Sequence, residues 1–456
     1  MEQLTLEEIV KVVNGKVDIN GECRKYNYLS TDTRKLRNNS IFVALRGENF
    51  NGNDYVKEAS EKGANLCIVD QIKFNPDELK GNTSIILVED TKQALLSLAE
   101  YYRSKLNVKV IGITGSTGKT STKDLLAAFL SSKFKVFKTK GNFNNEIGLP
   151  LMIFELDNTY DIAVLEMGMS DLGEIHRLAK VARPDVAIIT NVGISHIENL
   201  KTRENILKAK MEITDYFNDN NILIINIEND LLSSIPSDKY KVVKVGFNKE
   251  SDYKADNVTL NQSFIEFVVS DDNNEEEFHI DIPGKHNILN ALLGIAAGKI
   301  LGIEYEEMKS GIKNLSVTSM RLDIIKNEKI TIIDDCYNAS PDSMKAALDV
   351  MNSIEGKRKI AVLGTMKELG DKANESHKLI AEYASKQGVD ILVTIGEFND
   401  AYREGFKNDK GFKSFENNNN ASEFLLNNTN NGDVILVKAS RSMKFESIVN
   451  KLKAEN

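Results

Sequence analysis

The stretch "VIGITGSTGKTSTKD", residues 110–124, runs from unbroken apolar residues into a glycine-rich turn and then a polar run through Gly118-Lys119-Thr120. That order predicts a buried strand, a phosphate-binding loop and the first turns of a helix. The strict pattern G-x-x-x-x-G-K-[ST] is missed by one position. Ile113 stands where the first glycine belongs, and the glycines fall at Gly112 and Gly115. The change touches the entrance of the loop and leaves its cradle, Gly115, Ser116, Thr117 and Gly118, intact. Main-chain N–H groups at a helix N-terminus attract phosphate, Lys119 supplies a point charge for the outer phosphates, and the Thr120 hydroxyl suits magnesium. Nucleotide binding follows, but not the fate of the phosphate, since kinases, motors, switches and ligases share such loops.

Outward from this loop, apolar strands alternate with runs of helical period. Strands are expected at 108–114, 162–166, 186–190 and 222–226, with helices at 121–131, 171–180 and 204–217. This alternation predicts βαβ units and a parallel sheet covered on both faces. Residues 1 to about 97 mix short strands, at 41–44 and 66–69, with a helix at 54–62. Residues 250–282 read as short alternating strands, the acidic "SDDNNEEEF" forming a solvated hairpin turn, and two helices follow in "GKHNILNALLGIAAGKIL" and "EYEEMKSGIKNL". Beyond about residue 316 the alternation restarts, with strands at 330–334, 360–364, 391–394 and 434–437 and helices at 341–353, 374–387 and 442–452. That last unit is long enough for an α/β domain of its own. The asparagine-rich "FENNNNASEFLLNNTNNGD" inside it reads as surface loops around a short helix.

With 456 residues, two to four domains are expected. The net charge, 58 − 67 = −9, argues against a nucleic-acid partner. Cys23, Cys67 and Cys336 are sparse, odd in number and in no metal-ligand spacing, which fits a reducing cytoplasm. The opening "MEQLTLEEIVKVVNGK" is acidic where a signal peptide is basic, and reads as an amphipathic helix. No apolar stretch approaches the roughly 18 residues of a membrane span.

Further polar groups gather at strand ends. "KGNFNNEIGLP" carries Asn142, Asn144 and Asn145, which either line a polar pocket near a transferred phosphoryl group or form a turn. "VLEMG" ends a strand on Glu166, where a nucleotide fold places a magnesium ligand, or where a strand merely reaches the surface. "ITNVGISHIENL" projects His196 from the next strand's end, and "ILKAKMEIT" opens a helical run holding Lys208 and Lys210, which spacing alone does not separate.

"GITGSTGKTSTKD", "GNFNNEIGLP", "LEMG", "TNVGISHIENL", "PGKHNILNALLGIAA", "MRLDII" and "VKASRSM" resemble, in this order, the motifs of the ATP-dependent Mur ligases of peptidoglycan synthesis. The resemblance spans essentially the whole chain. It implies an α/β protein of three domains: a smaller α/β N-terminal domain for the UDP-sugar (1–97), a central phosphate-loop domain with a parallel sheet and flanking helices (98–316), and a Rossmann-like C-terminal ligase domain (317–456). It implies ATP as cofactor with two magnesium ions. Lys119 and Thr120 match the triphosphate and magnesium positions, Glu166 a magnesium ligand, and His196 a ligand of a second magnesium. Lys210 matches the lysine that the family carbamylates, turning a cation into a metal-supporting anion. His286, Asn287 and Asn290 match the adenine-side motif, Arg321 an arginine on the phosphates, and Asp335 the carboxylate meeting the ribose.

"STDTRKLRNNSIFVALRGENFNGNDYV" resembles the family's uridine-nucleotide-binding front, with Thr33 and Arg34 in matching positions. "DDCYNASPDSMKAAL" places Asn338, Ala339 and Ser343 on the acceptor side, with Lys438, Ser440 and Arg441 nearby. No Asp-Asn-Pro-Arg motif of the diamino-acid-adding branch is present. The resemblance therefore implies a monomeric, cytoplasmic ligase that joins D-alanyl-D-alanine to UDP-N-acetylmuramoyl-tripeptide through an acyl phosphate. Another amide ligase of the same build, such as folylpolyglutamate synthase, and a nucleotide-gated switch are the rivals. Three positions depart from the family pattern: Thr365 replaces aspartate, Asn53 replaces histidine, and Ala439 replaces glycine.

Overall fold

The computed structural model describes residues 1–272 and 274–455 and contains three main sheets. The largest has nine strands. Its parallel body runs, in spatial order, Lys241–Gly246, Ile222–Asn226, Val186–Ile189, Lys109–Thr114, Ile162–Glu166 and Val136–Lys138. The phosphate-loop strand Lys109–Thr114 pairs with Val186–Ile189 on one side and Ile162–Glu166 on the other. Crossovers leave it in both directions, so a crevice opens beyond its carboxyl end, where such sheets bind ligands.

The strands of 250–282 do not form a separate unit. Tyr253–Leu260 pairs parallel with Lys241–Gly246, and Ile265–Ser270 and Glu275–Ile280 continue the same sheet antiparallel. The parallel body is as expected, and the added antiparallel strands make the whole sheet mixed. Glu275, Glu276 and Glu277 already belong to the last strand, which shortens the acidic turn to 271–274; Asn273 in it lies outside the described residues.

The helix Lys119–Leu130 starts two residues before the expected 121 and is buried over most of its length, including Lys123 and Asp124. It packs on the strands Lys109–Thr114, Ile162–Glu166 and Val136–Lys138 and against the helices His286–Ile300 and Tyr305–Ile312. A Cβ at Gly311 would stand 2.3 Å from the Ala128 carbonyl oxygen, so only glycine permits this crossing.

The C-terminal sheet orders Asp323–Lys326, Ile330–Asp334, Asp433–Lys438, Arg358–Gly364, Ile391–Ile395 and Phe412–Phe415, all parallel except the first. The asparagine tract is mostly helix, Asn418–Asn428, because the Asn417 side chain caps the Asn420 N–H while Ala421, Ser422 and Leu425 turn inward. The N-terminal sheet orders Lys16–Ile19, Ser84–Leu87, Ala64–Val69, Ser40–Val43 and Tyr28–Ser30. The helix Thr91–Ser104 spans position 97 and ties this sheet's unit to the central one. Tyr102 Oη donates to the Leu156 carbonyl at 2.6 Å and Arg103 Nε to that of Ala182 at 3.0 Å. Among the described residues no helix is long and apolar enough to cross a membrane.

Candidate active site

Gly115 to Thr120 sit at the carboxyl end of the central strand and form one wall of a cavity of about 1150 Å³. Gly118 adopts φ +81° and caps the following helix, a conformation costly for any residue with a Cβ. A Cβ at Gly115 would meet Thr190 Oγ1 at 1.8 Å, and one at Gly118 would meet Asn290 Oδ1 at 2.6 Å. The two loop glycines are thus fixed by neighbours as well as by the loop's own turn. Asn191 clamps the loop: its Oδ1 accepts from the Thr117 N–H at 2.8 Å and its Nδ2 donates to Thr117 Oγ1 at 2.8 Å. Lys119 Nζ folds back on the Gly115 carbonyl at 2.7 Å. Burial lowers its pKa from the ordinary lysine range; Glu166 opposes that effect and Arg321 adds to it.

Glu166, only 2% exposed, ends the adjacent strand. Its Oε1 has no hydrogen-bond partner, and the nearest cation is Lys123 Nζ at 3.8 Å. A buried carboxylate oxygen left unpaired is costly, so this atom fits a hard cation, with Thr120 Oγ1 as a second oxygen ligand. Asn144 Nδ2 reaches the other oxygen, Oε2, at 3.4 Å. Asn142 and Asn145 also line the cavity, although Asn145 Oδ1 is taken by the Ile147 and Gly148 N–H groups as a local cap.

His196 and Lys210 join the same wall. Lys210 is 1% exposed, and burial, reinforced by Lys119, holds its pKa well below the ordinary range. Both effects favour the uncharged amine, the form that carbamylation needs. Among the described residues no three His, Cys, Asp or Glu side chains converge on one point. A cation here would therefore complete its shell with water and phosphate oxygens, as magnesium does.

The C-terminal unit supplies the opposite wall. Arg321 Nη2 donates to Thr120 Oγ1 at 3.3 Å, its guanidinium lies 4.0 Å from the Tyr337 ring centroid, and its buried Nε has no acceptor. Met320 and Leu322 on either side both have positive φ, +61° and +54°. Asp335 is held by Lys438 at 2.5 Å and accepts from the Leu322 N–H at 3.2 Å. Glu368 brings a carboxylate oxygen to 2.7 Å from His196 Nδ1, out of line for a hydrogen bond. The His196 contact nevertheless holds the Glu368 carboxyl below the usual range. Both residues have φ +64°, so two strained backbones meet across the seam. His286, Asn287 and Asn290 line the cavity from their helix; Asn287 Nδ2 is anchored on the Pro283 carbonyl at 2.8 Å, and burial pushes the His286 pKa down to about 4.

Some residues singled out in the sequence stand elsewhere. Asn338, Ala339 and Ser343 line the cavity, the Ser343 hydroxyl being also engaged in a capping box with Ser340 at the start of the helix Pro341–Ser353. Ser440 Oγ accepts from the Lys367 N–H at 3.0 Å, Arg441 pairs with Glu446 at 2.9 Å, and neither lines the cavity. Thr33 and Arg34 lie in the N-terminal unit, where Thr33 donates to Glu58 and Arg34 makes a two-pronged pair with Asp32. Asn53, at a family-histidine position, is buried and bonded to Asn51 and Asp70 through Nδ2, its Oδ1 unpaired. Thr365 and Ala439 are buried in the C-terminal unit. Asn191 and Glu368 were missed; Asn191 had a signal, a polar residue directly after a buried parallel strand.

A glycine-lined anion loop at a sheet switch point, facing Arg321 of a second α/β unit, defines a nucleotide-handling α/β protein whose site is assembled between two units. Three descriptions match it: "Mur ligase family, catalytic domain" over residues 25–103, "Mur ligase middle domain" over 113–298, and "Mur ligase, glutamate ligase domain" over 320–441. The chain is 40% identical to UDP-N-acetylmuramoyl-tripeptide--D-alanyl-D-alanine ligase of Bacillus subtilis over 98% of each chain, and 33% identical to that of Escherichia coli over 87% of each. A crystal structure of MurF from Acinetobacter baumannii superposes with a TM-score of 0.91 at 28% identity, covering 100% of this chain and 99% of that one. MurF from Thermotoga maritima in complex with ADP superposes with a TM-score of 0.82 at 28% identity, covering 94% and 97%. This chain belongs to the Mur ligase family.

Proposed function

We propose that this protein is the ATP-dependent ligase that joins D-alanyl-D-alanine to UDP-N-acetylmuramoyl-tripeptide, a cytoplasmic step in peptidoglycan precursor synthesis. The observation that carries the reading is the cavity between Lys119–Thr120 and Arg321, where a phosphate loop faces the unit that bears the acceptor-side motif. The full-length likeness to ligases of that name supports the choice of substrates. We take the chain as three domains, 1–97, 98–316 and 317–456, working as a monomer.

A free carboxylate is a poor electrophile, so amide formation needs activation. A terminal carboxylate oxygen of the tripeptide attacks the γ-phosphorus of ATP, the bond to ADP breaks, and an acyl phosphate forms. The dipeptide amine, having lost a proton, attacks the acyl carbon. The carbon–oxygen bond to phosphate then breaks, inorganic phosphate leaves, and the nitrogen sheds a second proton. In the first step Lys119 leaves the Gly115 carbonyl for the outer phosphates, while Arg321, with its unpaired Nε, meets the charge that develops there. Asn287 and Asn290 face the adenine, Asp335 the ribose, and Thr33 and Arg34 the uridine nucleotide. Asn144, Asn145, Asn338 and Ala339 border the reacting ends, with Ser343, Lys438, Ser440 and Arg441 supporting that wall. Thr120 and Glu166 would hold one magnesium ion, His196 and a carbamylated Lys210 a second, and these ions would neutralise phosphate charge. The three substrates meet only where the units close on each other, which excludes water from the acyl phosphate.

Purified protein with ATP, magnesium and UDP-N-acetylmuramoyl-tripeptide, with and without D-alanyl-D-alanine, tests the reading by mass spectrometry. The pentapeptide product and ADP are expected only with the dipeptide. Glutamate or a diamino acid serving as a better acceptor would refute the substrate choice, and phosphate release independent of any amine would favour the switch.

A further inference from the structure

A second cavity, of about 510 Å³, lies on the far side of the seam between the central and C-terminal units, within the roughly 300–1,000 Å³ typical of small-molecule sites. Asn191 and Asp342 line both cavities, so the two adjoin at these residues. Asp342 stands at the second position of the helix Pro341–Ser353. Its Oδ2 would lie 2.3 Å from a Cβ on Gly193, so only glycine lets the carboxylate approach that closely. The Gly193 N–H is itself held by Ser116 Oγ of the phosphate loop at 2.9 Å. Asp342 therefore sits one residue's breadth from the loop. Asp335, by contrast, is tied to Lys438, and Asp124 to Lys138 and Thr318. Among the described residues Asp342 accepts no hydrogen bond and has no cation within 4.0 Å. The surrounding protein raises its carboxyl pKa, and Lys345 and Arg203 lower it only in part.

We infer that the second cavity is the seat of the acceptor dipeptide, with its ammonium on Asp342 and its carboxylate on Lys345; this rests on the ligase reading above. An unpaired carboxylate beside a phosphate loop is repelled by the anions bound there, and an ammonium placed between them removes that repulsion. The same carboxylate turns away the dipeptide's anionic end, so the peptide enters amine first. Lys345 stands on the same helix face three residues on, its Nζ 5.9 Å from the Tyr383 ring centroid. Side chains three apart on a helix are roughly 5–6 Å apart at Cβ, close to the reach of a zwitterionic dipeptide. Leu289, Ile380 and Leu379, the last 48% exposed, offer an apolar wall for two methyl groups. Seated this way the amine lies next to Ser116, where the acyl phosphate forms, as attack requires.

The test separates activation from acceptor binding. Hydroxylamine, small and largely uncharged at neutral pH, traps an acyl phosphate as the hydroxamate without needing an ammonium site. In Asp342→Asn the KM for D-alanyl-D-alanine should rise roughly tenfold or more, as expected for a charged hydrogen bond, while the KM for ATP holds and hydroxamate formation stays within about twofold. Asp342→Glu should recover much of the loss. Lys345→Gln should abolish the preference for D-alanyl-D-alanine over its carboxamide, which keeps the inference testable if the Asp342 variants misfold. An unchanged dipeptide KM in Asp342→Asn overturns the inference. So does an equal fall of amide and hydroxamate formation, or a Lys345→Gln enzyme that still prefers the free acid. A wild-type enzyme that makes no hydroxamate overturns the acyl-phosphate reading itself, and the inference with it.

Discussion

Arg321 Nη2 lies 3.3 Å from Thr120 Oγ1, although 201 positions separate the two residues in the chain. The contact joins the C-terminal unit to the hydroxyl at the end of the phosphate loop. It also places a guanidinium with one unpaired nitrogen where phosphate charge would gather. Arg321→Ala should lower kcat about 100-fold, the scale for losing one transition-state donor, and Arg321→Lys should recover only part, because lysine lacks the planar fork. Steady-state rates at saturating ATP decide this. A KM effect alone would mean that Arg321 only binds the ground state.

Gly115 is fixed by its neighbour Thr190 as well as by its own turn. Because a Cβ there would stand 1.8 Å from Thr190 Oγ1, Gly115→Ala should cost about 1–3 kcal/mol through overpacking. It should also weaken ATP binding at least tenfold, since the loop must shift off its amide cradle. Thermal unfolding and nucleotide titration read the two effects, and Gly115→Ala with Thr190→Ser should regain little because the hydroxyl remains.

His377 bridges the C-terminal unit in its neutral form: Nε2 accepts from the Met366 N–H at 2.9 Å and Nδ1 donates to the Ala373 carbonyl at 2.6 Å. Burial pushes its pKa down to about 4 from an ordinary 6.5. The unfolded chain therefore takes up a proton, as pH falls below 6.5, that the folded chain refuses until about 4. Stability is complete above that window and declines through it, by about 3 kcal/mol at full development. Urea unfolding from pH 7 to pH 4.5 should show a falling midpoint, and His377→Gln, though weaker at pH 7, should show a flatter decline.

Lys210 should carry a carbamate when the protein is kept with bicarbonate. Isotope-labelled bicarbonate should give a carbamate carbon signal that is absent in Lys210→Ala, and that variant should lose most activity. An unmodified, fully active Lys210 would remove it from the proposed metal site.

The sequence exposed those parts of the fold whose signals are local. The strand at 162–166 was legible from its unbroken apolar run, and the helix at 341–353 from its apolar period after Pro341 at the first helical position. Lys119, Glu166 and His196 line one cavity, and their shared place near the ends of buried parallel strands was readable in the sequence. What was not legible depends on distant partners. The contact of Arg321 with Thr120 and that of His196 with Glu368 join residues far apart in the chain and leave no local mark. A short helix in the asparagine tract was expected, but not its full length, because asparagine competes with the helical backbone. Its cap and its buried Leu425 overrode that propensity. The antiparallel extension of the central sheet was hidden because edge pairing is decided by the neighbouring strand, not by the strand itself.

Activation of a carboxylate by phosphorylation is the chemistry on which every role assigned here depends. The direct measurement uses UDP-N-acetylmuramoyl-tripeptide carrying a heavy oxygen isotope in its terminal carboxylate and follows that oxygen by mass spectrometry after turnover with ATP and D-alanyl-D-alanine. An acyl phosphate delivers one heavy oxygen to the released inorganic phosphate. Unlabelled phosphate alongside the amide product would contradict it.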